Sequence, residues 1–275
     1  MAASDKLKKL VEKMPEAKGT LTGPSWAEAT PVFDEILKGG AESIVGVIGM
    51  LKPVDDGTDM KARYVLHAVT TYACGPGKEK ARACVAGAIA SQLAGQGKDN
   101  QGFLMRQLEF CGDAKVAGEL GKYLCTEGVS APAAEALVAI GKDALPQLRA
   151  ALPKAKGQCL LNVVQALGVL GDAKSVKGLC KASTDSNRFV RISAAQGLAN
   201  IGDPAGVDAV IKASNTKGVW DRDQIAAACL ELAEKLTAAG KKSDAEKIYK
   251  HLTKTRTDDG EKYIADIASQ ALAAK

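Results

Sequence analysis

Aromatic residues make up only 4% of this 275-residue chain, and histidine occurs twice. A compact globular core draws on more Phe, Tyr and Trp than this. Small side chains suit helices that approach one another closely, and Ala and Leu dominate the apolar share here. The two histidines, His67 and His251, stand far apart, and the sequence holds no HExxH, HxE or His-Glu pair. Zinc sites and nucleophilic triads lean on histidine, so they have little to be built from.

Other absences narrow the field further. No apolar run reaches the roughly 18 residues that span a bilayer. No Val/Ile/Thr alternation of useful length marks a strand. None of the seven cysteines (Cys74, Cys84, Cys111, Cys125, Cys159, Cys180, Cys229) lies in a CxxC spacing. Each has small or apolar neighbours in helix-forming sequence, which reads as buried free thiols in a reducing compartment. The opening residues carry no apolar stretch of the signal-peptide kind, and the expectation is a cytoplasmic protein. The one glycine-rich turn with a lysine, Cys74-Gly75-Pro76-Gly77-Lys78-Glu79, lacks the closing hydroxyl and a preceding strand, so it reads as a turn rather than a phosphate loop. No cofactor or metal is expected.

What is present is a repeat. An apolar helix end followed by Gly, one or two polar residues and Ala recurs at Phe110-Cys111-Gly112-Asp113-Ala114, Ile140-Gly141-Lys142-Asp143-Ala144, Leu170-Gly171-Asp172-Ala173 and Ile201-Gly202-Asp203-Pro204-Ala205. The glycines are spaced 29, 30 and 31 residues, with fainter copies at Gly75 and Gly240. Glycine after the last apolar residue takes the left-handed conformation that ends a helix. The following Asp accepts hydrogen bonds from the free amides of the next helix, and Pro204 suits a first turn. Each unit therefore reads as helix, tight turn, helix. In 188–201 the apolar set Val190, Ala194, Ala195, Leu198 and Ile201 lies on one face, and Val207, Val210 and Ile211 do so in the partner helix. No unit of about 30 residues buries such a face alone, so neighbours must stack.

The reading is an all-α, right-handed α-solenoid of about seven helix pairs plus a closing helix. The pairs fall at 25–51, 59–94, 100–126, 130–152, 157–183, 187–214 and 220–254, and the closing helix at 259–274. Residues 1–24 supply a short basic amphipathic helix (1–14) and an exposed loop. Residues 25–275 read as one solenoid, with 220–275 as an atypical cap.

The unit Asn187-Arg188-Phe189-Val190-Arg191-Ile192-Ser193-Ala194-Ala195-Gln196-Gly197-Leu198-Ala199-Asn200-Ile201-Gly202-Asp203 resembles the short bacterial HEAT repeat, also called the phycobilin-lyase-type HEAT repeat. The similarity is convincing over 130–214 and extends over 59–275. It implies that Asp185 and Arg191 bridge neighbouring repeats and that second helices line a concave face. It also implies a binding scaffold without naming a ligand. The pair at 220–254 is similar to a tetratricopeptide pair, as in Ala245-Glu246-Lys247-Ile248-Tyr249-Lys250.

On the second helices the charges are uneven. Lys115, Lys122, Lys142, Arg149, Lys174, Lys177, Lys181 and Lys212 form the candidate binding set on the concave face, with Lys217, Lys247, Lys250 and Lys254 nearby. Such a row steers an acidic ligand; the alternative is that the lysines only solubilise Ala-rich helices. Lysine in place of arginine argues against bidentate phosphate recognition, and sparse aromatics argue against stacking on single strands. The net charge of +5 permits an acidic partner without requiring one. The expectation is a monomeric, non-catalytic scaffold that binds a protein partner of acidic character and no membrane. The alternative is a nucleic-acid binder resembling the HEAT-like alkylpurine DNA glycosylases, for which Trp220-Asp221-Arg222-Asp223 is the suggestive cluster. A phycobilin-lyase activity has no specific feature behind it. A deoxyhypusine hydroxylase fails for want of His-Glu ligands.

Overall fold

The computed structural model describes residues 3–15, 26–53 and 56–274, with the side chains of Trp26 and Ala27 excepted. Among these residues every regular element is helical and no strand occurs. The chain divides into two compact units, Met1–Gln147 and Leu148–Lys275.

The first unit opens with α1 (Asp5–Glu12), followed by the pairs α2 (Trp26–Lys38)/α3 (Gly40–Ile48), α4 (Met60–Ala73)/α5 (Glu79–Gln92) and α6 (Lys98–Cys111)/α7 (Ala114–Gly121), then α8 (Ser130–Ile140). First helices pack on first helices (α2 on α4, α4 on α6, α6 on α8), and second helices on second (α3 on α5, α5 on α7). The basic segment at the start is indeed a helix. Ser4 caps it by accepting the Leu7 N–H (3.2 Å), and it buries Leu7 and Val11 against the first pair. Most of the loop expected at 15–24 lies outside the described residues, as do two residues of the connector at 53–57.

Helix α9 (Leu145–Ala151) ends the fourth pair. The second unit continues with α10 (Gly157–Val169)/α11 (Val176–Ala182), α12 (Arg188–Ile201)/α13 (Val207–Ala213) and α14 (Val219–Ala238)/α15 (Lys242–Thr255), closed by α16 (Lys262–Ala273) against α15. Helices α10, α12 and α14 form one layer and α11, α13 and α15 the other. The second unit, like the first, is a stack of helix pairs, and α16 closes it. Its core is Ala, Val and Leu, with Val190, Ala194, Ala195 and Leu198 buried as the periodicity requires. Small residues let neighbouring helices of one layer close up: a Cβ on Gly168 of α10 would lie 2.8 Å from the Gly197 Cα of α12.

The turn phrases behave unequally. Gly141, Gly171 and Gly202 have φ of 87°, 64° and 73°, and the faint copy at Gly240 has 74°. Gly112 departs from the expectation, with φ −60° and ψ 153°. It is needed there for another reason, since a Cβ would sit 2.5 Å from the Leu108 carbonyl oxygen. Asp113 and Asp203 cap as expected, accepting from the Lys115 N–H (2.9 Å) and the Ala205 N–H (2.8 Å). Asp172 does not cap its helix. Its carboxylate serves a neighbouring repeat instead.

Candidate functional site

Arginine and lysine divide the labour in this chain. Seven of the eight arginines reach from one helix pair to another, and the eighth, Arg106 on α6, is exposed. In the first unit Arg82 of α5 donates to the carbonyls of Cys111 and Gly112, at 3.0 Å each. Arg63 of α4 pairs with buried Asp59 (2.9 Å) and reaches Asn100 of α6 (2.6 Å). In the second unit Arg149 of α9 donates to Asp172 (2.8 Å), which also accepts from Ser175 Oγ (2.5 Å). Burial raises the Asp172 carboxyl, but the Arg149 and Ser175 hydrogen bonds with the Arg149 charge outweigh it, and the group titrates below its ordinary value. Arg188 and Arg191 of α12 both hold Asp221 of α14, and Arg222 of α14 holds Glu261 ahead of α16. Buried Arg256 donates to the Ser214 carbonyl (2.7 Å), tying the segment after α15 to the end of α13.

The expected bridge between Asp185 and Arg191 is therefore drawn differently. Arg191 takes the Asp185 backbone carbonyl (3.0 Å), while the acid that bridges to the next repeat is Asp221. The Asp185 carboxylate accepts the Asn187 N–H (2.8 Å) and shapes the loop.

The second-helix lysines are placed otherwise. Lys115 on α7, Lys142 in the 3-10 turn before α9, Lys174 in the turn before α11, Lys177 and Lys181 on α11, and Lys212 on α13 are all exposed. None of these six has an ion-pair partner among the described residues. The other two of the expected set do. Lys122 pairs with Glu119 one turn back, and Arg149 is committed to Asp172 with its side chain 32% exposed. Lys115, Lys122 and Lys142 belong to the first unit and the remainder to the second. Of the neighbouring lysines, Lys247 pairs with Asp208 of α13 and Lys250 with Glu246.

Neither histidine is set up for catalysis. His67 Nδ1 on α4 hydrogen-bonds Gln107 Oε1 on α6 (3.0 Å), which ties two helices together. His251, although its neighbours in sequence are basic, is half-buried, with Nε2 2.9 Å from Ser214 Oγ. Burial and the Arg256 charge lower its pKa. The Ser–His contact is closed to substrate, because Ser214 is 0% exposed and its hydroxyl donates to the Ile211 carbonyl (2.8 Å).

The Trp220-Asp221-Arg222-Asp223 cluster is likewise occupied: Asp221 is 4% exposed and held by two arginines, and Arg222 is bound to Glu261. Trp220 stands half-exposed at the start of α14, edge-to-face with Phe189 at 6.2 Å and beneath the Arg188 guanidinium at 4.8 Å.

Cys111, Cys159 and Cys229 are buried, and burial pushes the Cys111 and Cys229 thiols up to about 12. The other four depart from the expectation: Cys74, Cys84 and Cys180 are only half-buried, and Cys125 lies in the turn after α7 and is exposed. No group of three or more His, Cys, Asp or Glu that could hold a metal occurs among the described residues, and no helix there is long and apolar enough to cross a membrane.

The HEAT-repeats family matches residues 160–231, from α10 into α14. No curated protein matches the chain. Among solved structures, an engineered protein is 19% identical over 96% of this chain and 78% of its own, with a TM-score of 0.44. A chain from a structure on the phosphorylation switch in the cadherin–β-catenin interaction is 14% identical over 92% and 61%, with a TM-score of 0.42. Human deoxyhypusine hydroxylase is 14% identical over 83% and 96%, with a TM-score of 0.27. Likeness at this level carries over neither activity nor partner.

Proposed function

We propose that this chain is a non-catalytic protein-binding scaffold that engages an acidic partner through the lysines of its second helices. One observation carries the reading: seven of the eight arginines contact a neighbouring helix pair, whereas six lysines on second helices or in the turns that open them are exposed and have no ion-pair partner among the described residues. Long cationic chains without counter-charges attract an acidic surface and set its approach more than they stabilise the fold. The match of 160–231 to HEAT repeats supports a stacked scaffold in the part of the chain where Lys174, Lys177, Lys181 and Lys212 lie.

The test uses fluorescent polyglutamate of about 20 residues as an acidic probe. Wild type should bind it, and added salt should weaken binding, since exposed charges are screened beyond a Debye length of about 10 Å at 0.1 M. Reversing Lys174, Lys177 and Lys181 to Glu should weaken binding at least tenfold while leaving the thermal midpoint within about 2 °C, because exposed charge pairs are worth only about 0–1 kcal/mol. Unchanged affinity in the triple variant reduces these lysines to solubilising residues.

A second reading, nucleic-acid binding, is favoured by the Arg188, Phe189 and Trp220 edge, where a guanidinium and two half-exposed rings meet. Such a grouping stacks bases. A duplex or single-stranded oligonucleotide bound more tightly than polyglutamate, and lost on Trp220→Ala, would support it.

A further inference from the structure

We infer that a cleft between the C-terminal ends of α9 and α11 receives an apolar side chain from an acidic segment of a partner protein. This rests on the acidic-partner reading above and gives it an address within the second unit. The cleft measures about 740 Å³. It is lined on one side by Leu152 and Pro153 after α9, Leu160 on α10 and Ala182 on α11, on the other by the polar loop 184–187, and Lys156 and Lys181 join the lining. A volume of this size lies within the range that small-ligand pockets span.

The charge around the cleft is one-sided. Lys156 and Lys181 are exposed and have no ion-pair partner among the described residues. The only carboxylate in the lining, Asp185, is turned to its own loop by the Asn187 N–H. Lys156 also occupies the N-cap of α10, and no side chain caps that helix. An apolar wall flanked by two exposed lysines is complementary to a chain that alternates Asp or Glu with Leu, Ile or Val. They do not suit a nucleic-acid strand, whose recognition by stacking needs aromatic surface that this lining lacks. The depth is kept by packing rather than chance. Gly178 lets α11 approach the Leu152 side chain, where a Cβ would lie 2.3 Å from Leu152 Cδ2.

The test is a labelled peptide pair, acetyl-Glu-Glu-Ser-Glu-X-Glu-Ser-Glu-Glu with X either Leu or Ser, titrated against the full chain. Wild type should prefer Leu by roughly tenfold, which corresponds to about 1.4 kcal/mol. Ser186→Trp places a large ring on the exposed loop lining the cleft and should erase that preference while both peptides still bind. Lys156→Glu with Lys181→Glu should weaken both peptides. Lys174→Glu with Lys177→Glu, outside the lining, should weaken both equally and leave the Leu preference intact. A far-UV spectrum and thermal midpoint like wild type keep each variant interpretable. Equal binding of Leu and Ser peptides by wild type overturns the cleft but leaves the acidic-partner reading standing. So does a Leu preference that survives Ser186→Trp. Failure of both peptides and of polyglutamate to bind overturns both.

Discussion

Replacing Gly168 by alanine tests the close helix approach on which the second unit depends. In an unconstrained helix interior the change is stabilising by about 1 kcal/mol, because alanine loses less backbone freedom than glycine on folding. Here the added methyl meets the Gly197 Cα at 2.8 Å and its N at 3.6 Å. Both atoms are backbone, so no rotamer relieves the contact and α10 and α12 must separate. Overpacking of this kind costs about 1–3 kcal/mol, and the upper end applies when the obstacle is rigid. Separation also stretches the bond from Asn200 Nδ2 to the Gly168 carbonyl, now 2.6 Å, which is worth about 1 kcal/mol. The net expectation is a loss of about 3 kcal/mol. Urea denaturation of the full chain, followed by far-UV circular dichroism, reads it as a lower midpoint in the transition of the second unit. Gly87→Ala is the internal control. Gly87 is exposed in the middle of α5, with nothing within 4 Å of its would-be Cβ, so that substitution should stabilise by up to about 1 kcal/mol. If both substitutions stabilise alike, the close approach of α10 and α12 is wrong.

Three further outcomes are expected. Arg149→Ala leaves the buried Asp172 carboxylate unpaired; breaking a buried pair costs roughly 3–5 kcal/mol, and the partial exposure of Arg149 reduces this to about 2–3 kcal/mol by thermal melts. Asp59, Asp172 and Glu261 all titrate below their ordinary values in the folded chain, so their stabilisation is complete above the unfolded values near 4 and is lost as pH falls through the lower folded values. Melting temperature should therefore fall steeply below about pH 4, and Asp172→Asn should flatten part of that slope. Among the thiols, exposed Cys125 should react first with a maleimide at neutral pH, and Cys111 and Cys229 should resist until the chain unfolds.

The helix pairs were legible because their signal is local. A glycine after an apolar residue, an acid beside it and a spacing near 30 residues mark turns that Gly141, Gly171 and Gly202 do form. What a residue does across repeats was less legible. Asp113 and Asp172 stand in the same phrase, yet one caps its own helix and the other binds Arg149 of the preceding pair. Arg149 fell among the candidate binding cations because its helix position matches theirs; only packing shows that it faces a buried acid. The short 3-10 turns opening α9, α11 and α13 carry no periodic pattern and went unforeseen. The 152–157 and 184–187 segments carry no pattern that marks the cleft, since nothing in either alone shows that both line it together with Lys181.

Engagement of an acidic protein segment by the exposed lysines of the second helices is proposed here as the function of the chain. Its most direct test is a competition in which wild type is titrated with fluorescent polyglutamate in the presence of unlabelled 20-base-pair duplex DNA, at 50 mM and 200 mM salt. Polyglutamate should bind saturably, more weakly at the higher salt, and should not be displaced by an equal charge of DNA. Displacement by DNA, or no polyglutamate binding at 50 mM salt, would contradict the proposal.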